Sequence, residues 1–286
     1  VPDEEQSAAQ RYIERAPTVG LVDVVSAVWV QQVGPDAPAV RHRNLPHGGA
    51  EVVCAVGANP HVVGPLTGPR VEVLAPGTTV VGMRLRPGAA RALLGVPPSE
   101  LVDLAVPADA LWGLAASTLG DQVATAGSPA AAIAALQGGF LARRDADPDP
   151  LVAEVVRRLM PGRASPVAML PGFLAVSERH LRRRCHAAVG LGPKTLHRTL
   201  RFQGFLAQAQ LAIAAGHSLD GLAALALQAG YSDQAHLTRE CVRLTGATPR
   251  AFLAETTETC GCGHDHAASY RPLLAGSFKN TTAEAS

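Results

Sequence analysis

Arg179, Arg182 and Arg183 fall on one face of a short helical stretch. A guanidinium on such a face pairs with a phosphate through charge, or bidentately with guanine O6 and N7. Leu181, Cys185 and Ala188, at i, i+4 and i+7, form the apolar stripe that would seat the helix. The arrangement returns 56 residues later. Ser177 to Pro193 (S-E-R-H-L-R-R-R-C-H-A-A-V-G-L-G-P) and Asp233 to Pro249 (D-Q-A-H-L-T-R-E-C-V-R-L-T-G-A-T-P) match at His180/His236, Leu181/Leu237, Arg183/Arg239, Cys185/Cys241, Gly190/Gly246 and Pro193/Pro249. This is an internal repeat. In the second copy Leu237, Cys241 and Leu244 fall inward, and Ala235, Thr238, Arg239 and Val242 outward. Each copy opens on an N-capping side chain (Ser177, Asp233) and stops at a glycine with proline shortly after.

Two other clusters carry ligand chemistry. Cys260-Gly-Cys262-Gly-His264-Asp-His266 places four ligands at alternate positions, with glycines that let the chain curl around one ion. Cys260, Cys262, His264 and His266 suit tetrahedral Zn(II), and the thiolates would also take Cu(I). The competing reading is a polar tail that takes up metal only in vitro. His42, His47, Glu51 and His61 lie on or beside expected strands. A cupin-like metal site needs a closer His-x-His pair, so a structural or loop role is the favoured reading. No nucleophile-base constellation or phosphate loop accompanies them. Cys54, in A-E-V-V-C-A-V, reads as a buried strand residue, and the chain as a non-enzyme.

The elements that must position the repeats follow from periodicity. The first twenty residues read as a leading arm. Val-rich runs at 21–33, 51–56, 62–66, 71–74 and 79–85, broken by Gly and Pro, predict a small antiparallel β unit. Helices are expected at 89–94, 99–104, 109–118 and 130–143. Asp145-Ala-Asp-Pro-Asp-Pro150 reads as a linker. A helix at 151–159 follows, then one with Ser165 as cap and Pro166 in its first turn. Pro171-Gly172 breaks that helix, because interior proline costs about 3 kcal/mol and glycine about 1. Residues 193–215 predict a long helix of roughly 34 Å, close to one turn of B-DNA. Residues 219–228, 230–232 and 234–244 complete a helix, turn and second reader. The fold class is α+β with two domains: a β unit followed by helices (1–148), then an all-α region with two helix-turn-helix units joined by a long helix (149–256). Residues 257–286 form the tail.

Composition bounds the function. A chain of 286 residues with 47% hydrophobic content can bury two cores. The charge of +1 hides an asymmetry: residues 1–154 carry 10 basic against 16 acidic side chains, whereas 155–219 carry 10 against Glu178 alone. The positive field surrounds the first repeat, as expected where one domain meets a polyanion. The scarcity of lysine, present only at 194 and 279, fits a GC-rich genome as readily as a function. The stretch 122–142 is too weakly apolar to span a bilayer. Five cysteines without a secretory pattern point to the cytoplasm.

The chain resembles the AraC/XylS family of bacterial transcription regulators over about 100 residues. The carrying motifs are L-A-V-S-E-R-H-L-R-R-R-C-H-A-A-V-G-L-G-P-K-T-L (174–196) and L-A-A-L-A-L-Q-A-G-Y-S-D-Q-A-H-L-T-R-E-C-V-R-L-T-G-A-T-P-R-A-F (222–252). The resemblance implies base contacts from Arg179, Arg182 and Arg183 in the first reader. In the second it implies Gln234, Ala235, His236 and Arg239, with Ala235 limited to an apolar contact. Lys194, Thr195 and Thr248, at helix ends, would bind backbone phosphates. The break at Pro171-Gly172 departs from the family, whose corresponding helix is continuous. The segments 41–53, 62–69 and 81–96 resemble the β-rich sensor region that precedes this domain in many high-GC regulators. The implied protein reads two successive major grooves of double-stranded promoter DNA and contacts RNA polymerase as an activator. Its N-terminal module would take an effector or form a homodimer. The alternative is a metal-responsive regulator using the Cys-x-Cys-x-His-x-His tail.

Overall fold

The computed structural model describes residues 10–144, 147–162, 165–216 and 221–258. Among the described residues eight strands form the N-terminal unit: β1 (Gln10–Arg15), β2 (Val25–Val33), β3 (Val40–Asn44), β4 (Glu51–Ala55), β5 (His61–Val63), β6 (Arg70–Leu74), β7 (Thr79–Leu85) and β8 (Ala105–Pro107). Six make an antiparallel sheet in the order β1-β2-β7-β4-β5-β8, and β3 and β6 pair as a separate ribbon. The segments 10–15, 40–44 and 105–107 are strands that the sequence pattern did not indicate, and β1 replaces part of the expected leading arm.

The run V-S-A-V-W-V-Q-Q-V of β2 is almost wholly buried because both its faces are covered. Val28 and Val30, with Val81 and Met83 of β7, meet helices α3 (Leu114–Ala124) and α4 (Pro129–Leu141) through Leu119, Val123, Leu136 and Phe140. Trp29 and Gln31 occupy the other face, toward the ribbon. Trp29 stacks with Tyr12 and His42, 5.9 and 5.8 Å between ring centroids. Its indole lies across Gly82, its cross-strand partner, where an added Cβ would come within 2.2 Å of the ring.

Between sheet and linker, α1 (Ala90–Leu94) and α2 (Asp109–Trp112) are short. The helix expected at 99–104 is only a 3₁₀ turn at Pro98–Glu100, and Asp103 beyond it takes a left-handed φ of 59°. The helix expected at 109–118 is split, because Gly113 at φ 55° ends α2 and starts α3 in a new direction. Among the described residues the C-terminal region is all helical: α5 (Pro150–Leu159), α6 (Leu170–Phe173), α7 (Glu178–Val189), α8 (Pro193–Ala214), α9 (Leu222–Gln228), α10 (Gln234–Thr245) and α11 (Pro249–Glu258). Ser165 caps nothing. Pro166 itself stands at the start of a 3₁₀ turn, Val167–Met169, without a side-chain cap. That turn leads into α6, only four residues long with Pro171 in its first turn, so the break expected at Pro171-Gly172 appears as a short helix.

Candidate nucleic-acid interface

The two repeats fold as equivalent capped helices. Ser177 Oγ accepts from His180 N at 3.2 Å to start α7, and Asp233 Oδ1 accepts from His236 N at 2.6 Å to start α10. Each ends at a left-handed glycine, Gly190 at φ 83° and Gly246 at φ 77°, a conformation that a side chain would strain. The inward stripes are buried as the spacing predicts. Burial pushes the thiols of Cys185 and Cys241 up to about 11, so the repeated cysteines pack and do not react.

One helix carries both readers. The 22 residues of α8 span roughly 33 Å. Leu196 and Leu200 join the first core with Val155, Leu159, Leu170 and Leu181. Phe202, Phe205, Leu206 and Ala209 join the second with Leu222, Tyr231, Leu237 and Leu253. A single rigid rod therefore anchors the two helix-turn-helix units.

Outward from these cores, Arg179, Arg182 and Arg183 are exposed on α7, with Arg183 Nη2 3.3 Å from His180 Nδ1. Lys194 is exposed at the start of α8, and Thr195 beside it is half-buried. Gln234, Ala235 and Arg239 are exposed on α10, and Thr248 is exposed before α11. His236 is turned otherwise. Its Nδ1 lies 3.1 Å from Ser232 Oγ, its Nε2 lies 3.4 Å from Arg201 Nη2, and its ring meets Tyr231 edge-on at 5.2 Å. It braces the turn before α10, whereas the resemblance implied a base contact.

Several positioning residues escaped sequence reasoning. Arg201 of α8 lies over the Tyr231 ring at 4.4 Å, and Arg198 bonds Glu240 at 2.8 Å, locking α10 to the rod. Asp149 caps α5 and also accepts from Arg184 Nε at 2.6 Å, tying the linker to α7. None of these pairs shares a local pattern, so only the cation itself was a signal. The loop 65–69 of the N-terminal unit was also missed as a contact surface. A Cβ on Gly190 would lie 3.2 Å from Pro65 Cγ and 2.8 Å from Pro98 O. A Cβ on Gly246 would lie 3.7 Å from Pro69 Cγ, and one on Gly68 would lie 3.6 Å from Arg243 O. One loop thus abuts the C-terminal ends of both readers. Asp103 holds it, accepting from Thr67 N at 2.7 Å and Thr67 Oγ1 at 2.6 Å.

The histidines considered for a metal are dispersed. His42 bonds Asn44, His61 bonds the Asn59 carbonyl, and His47 Nε2 lies 3.9 Å from Glu51 Oε1. Among the described residues no three His, Cys, Asp or Glu side chains gather as a metal site. Cys260, Cys262, His264 and His266 lie outside the described residues. Among the described residues no helix is long and apolar enough to cross a membrane.

Comparison with known proteins places two segments. Residues 13–107 match a family described as Domain of unknown function (DUF6597), and residues 172–255 match the Helix-turn-helix domain family. No curated protein matches the chain. Among solved structures, ToxT from Vibrio cholerae O395 is 10% identical, with 87% of this chain and 98% of that chain covered at TM-score 0.43. The same protein bound to (E)-4-(8-methylnaphthalen-1-yl)but-3-enoic acid gives a TM-score of 0.45 at 10% identity over 87% and 98%. The unsaturated fatty acid bound wild-type ToxT from Vibrio cholerae strain SCE256 gives 0.39 at 12% identity over 86% and 94%. With both capped helices seated on one rod and the domain match spanning them, residues 172–255 form a helix-turn-helix domain of the AraC type, which supports a role in DNA binding.

Proposed function

We propose that α7 and α10 enter two successive major grooves of double-stranded promoter DNA in the cytoplasm, and that the N-terminal unit sets how the two readers are held. The division falls near residue 148, with an effector-binding or homodimerisation module before it and an activator that contacts RNA polymerase after it. The observation that carries this reading is the loop 65–69, which abuts the ends of both readers at Gly190 and Gly246. Two further junctions support it. Arg43 of β3 bonds Glu255 of α11 at 2.9 Å, and Gln203 Nε2 of α8 donates to the Pro46 carbonyl at 2.7 Å. A shift of the β unit is thereby felt at α8, α10 and α11.

Arg179, Arg182 and Arg183 supply charge-driven affinity, while Gln234 and Arg239 read bases, glutamine suiting adenine and arginine guanine. The test is fluorescence anisotropy of the full chain on its own promoter region. Arg239→Ala relaxes base preference, whereas Lys194→Ala weakens all sequences alike and lowers the salt slope by about one. Binding no tighter than to random DNA at moderate salt would refute the reading. The metal-responsive version rests on the tail sequence. It fails if replacing Cys260 and Cys262 by serine leaves both Zn(II) or Cu(I) stoichiometry and DNA affinity unchanged.

A further inference from the structure

The long helix α8 carries a weak point at its centre. Gln203 and Gly204 stand at the midpoint of Pro193–Ala214, and glycine is the poorest helix former after proline. Leu196 and Leu200 before this point serve the first core, and Phe205, Leu206 and Ala209 beyond it serve the second. A bend at Gly204 therefore changes the distance and angle between α7 and α10. What excludes a side chain there is Pro161, buried in the turn after α5. A Cβ on Gly204 would lie 2.7 Å from both Cβ and Cγ of Pro161, so the rod gives up stiffness for a close approach.

The N-terminal unit braces the same stretch. Gln203, only 6% exposed, donates from Nε2 to the Pro46 carbonyl at 2.7 Å, and the bond is buried. Gly48, at φ 90°, makes room for Leu196 and Leu200, whose Cδ1 and Cδ2 would lie 3.0 and 3.7 Å from an added Cβ. Leu45 packs against the second core, and Arg43 reaches α11 through Glu255 and the Phe252 ring. From Gly48 back to Arg43 the contacts thus pass from the first helix-turn-helix unit, across the midpoint of α8, to the second. One short segment spans the weak point.

We propose that residues 43–48 splint α8 at Gly204, and that Leu45, Gly48 and Gln203 are positioning residues that set which spacing of DNA half-sites the chain accepts. They act through α8, not by contact with DNA. The inference rests on the two-groove reading above and names the contacts through which the N-terminal unit fixes its geometry. Two readers on a stiff rod fit grooves at one separation, because half-site spacing mirrors the spacing of the reading helices. Two readers on a loosened rod fit several separations, each less tightly, because the ordering that the splint supplied is now lost on binding.

The test uses the full chain with Cys260→Ser and Cys262→Ser, which leaves the buried Cys54, Cys185 and Cys241. Nitroxides on Glu178→Cys and Val242→Cys, exposed positions of α7 and α10, report the distance between the readers without DNA by double electron-electron resonance. Gln203→Leu, which removes the bond to Pro46, and Leu45→Ala each broaden the distance distribution. Exchanging the glycine, Pro161→Gly with Gly204→Ala, stiffens the rod itself and narrows the distribution again in the Gln203→Leu background. An unchanged distribution in both single variants, or no recovery on the exchange, overturns the splint. The unlabelled protein is titrated by anisotropy against promoter duplexes whose half-sites are mapped by footprinting, at native spacing and with one base pair inserted. The insertion weakens the parent by about tenfold and Gln203→Leu by about twofold, a ratio that does not depend on the fraction of protein folded. Equal ratios overturn the role in spacing. Failure to bind any promoter duplex, or a footprint in a single groove, refutes the two-groove reading, and the nitroxide distances still decide the splint.

Discussion

Gly82→Ala probes the Trp29 face most directly. Gly82 has no left-handed φ, so its backbone tolerates any residue, and what excludes a side chain is the indole. An added Cβ would sit 2.2 Å from both Cε2 and Cζ2 of Trp29. Carbon atoms rest at about 3.5 to 4.0 Å, so the ring must retreat by about 1.5 Å or β2 and β7 must part. The ring cannot retreat freely, because Tyr12 and His42 stack with it. Overpacking of this kind costs about 1 to 3 kcal/mol, and the rigidity of the indole places Gly82→Ala near the upper end. In a Trp29→Leu background the obstacle is gone. The same substitution then removes a glycine from a strand interior and stabilises by about 0.5 to 1 kcal/mol. The sign of the effect reverses, giving a coupling of roughly 3 to 4 kcal/mol. Urea unfolding followed by circular dichroism measures all four corners of the cycle. Equal cost in both backgrounds would refute the argument that the indole, rather than the strand pair, keeps position 82 a glycine.

Two further predictions concern charge. Arg84→Met leaves Glu14 and Glu51 without their cation and destabilises by about 3 kcal/mol near neutral pH, the low end for a broken buried pair because Arg84 retains solvent contact. Burial raises the Glu51 carboxyl, but Arg84 and His47 outweigh it and hold it below its usual range. That stabilisation is present above the unfolded carboxylate pKa and is lost as pH falls through the folded one. The melting-temperature gap between the two proteins should narrow on acidification, and a constant gap would exclude Glu51 as its source. On the DNA side, the bond from His236 N holds the Asp233 carboxyl below its usual range. Asp233→Ala should weaken promoter binding several-fold and speed exchange of the His236 amide, whereas Asp233→Asn keeps an acceptor and keeps binding. Equal losses would assign the effect to charge, not capping.

What the sequence disclosed and what it hid have one physical cause. The repeats were legible because each determinant is local: a cap three residues from its donor, a stripe at helical spacing, a glycine at the end. The linkages that orient them were not. Arg198 and Glu240 are 42 residues apart, and the loop at 65–69 reaches glycines more than a hundred positions away. The overlooked strands are more instructive. Q-R-Y-I-E-R and V-R-H-R-N lack the alternation of apolar and polar residues that marks a half-buried strand, because their inward positions carry Tyr12, Glu14 and His42. The alternation rule presumes an apolar interior. Where the interior is built from paired charges and aromatic rings, the rule fails on the strands that build it. The structural role favoured for His42, His47 and Glu51 over a metal site takes this form: Glu51 pairs directly with Arg84, and His42 stacks on Trp29. Consistency between local pattern and fold breaks first where a protein gives up apolar packing for chemistry. In this chain that place is the face around Trp29, where Arg84 pairs with Glu51 and Glu14 beside the stacked rings of Tyr12, Trp29 and His42.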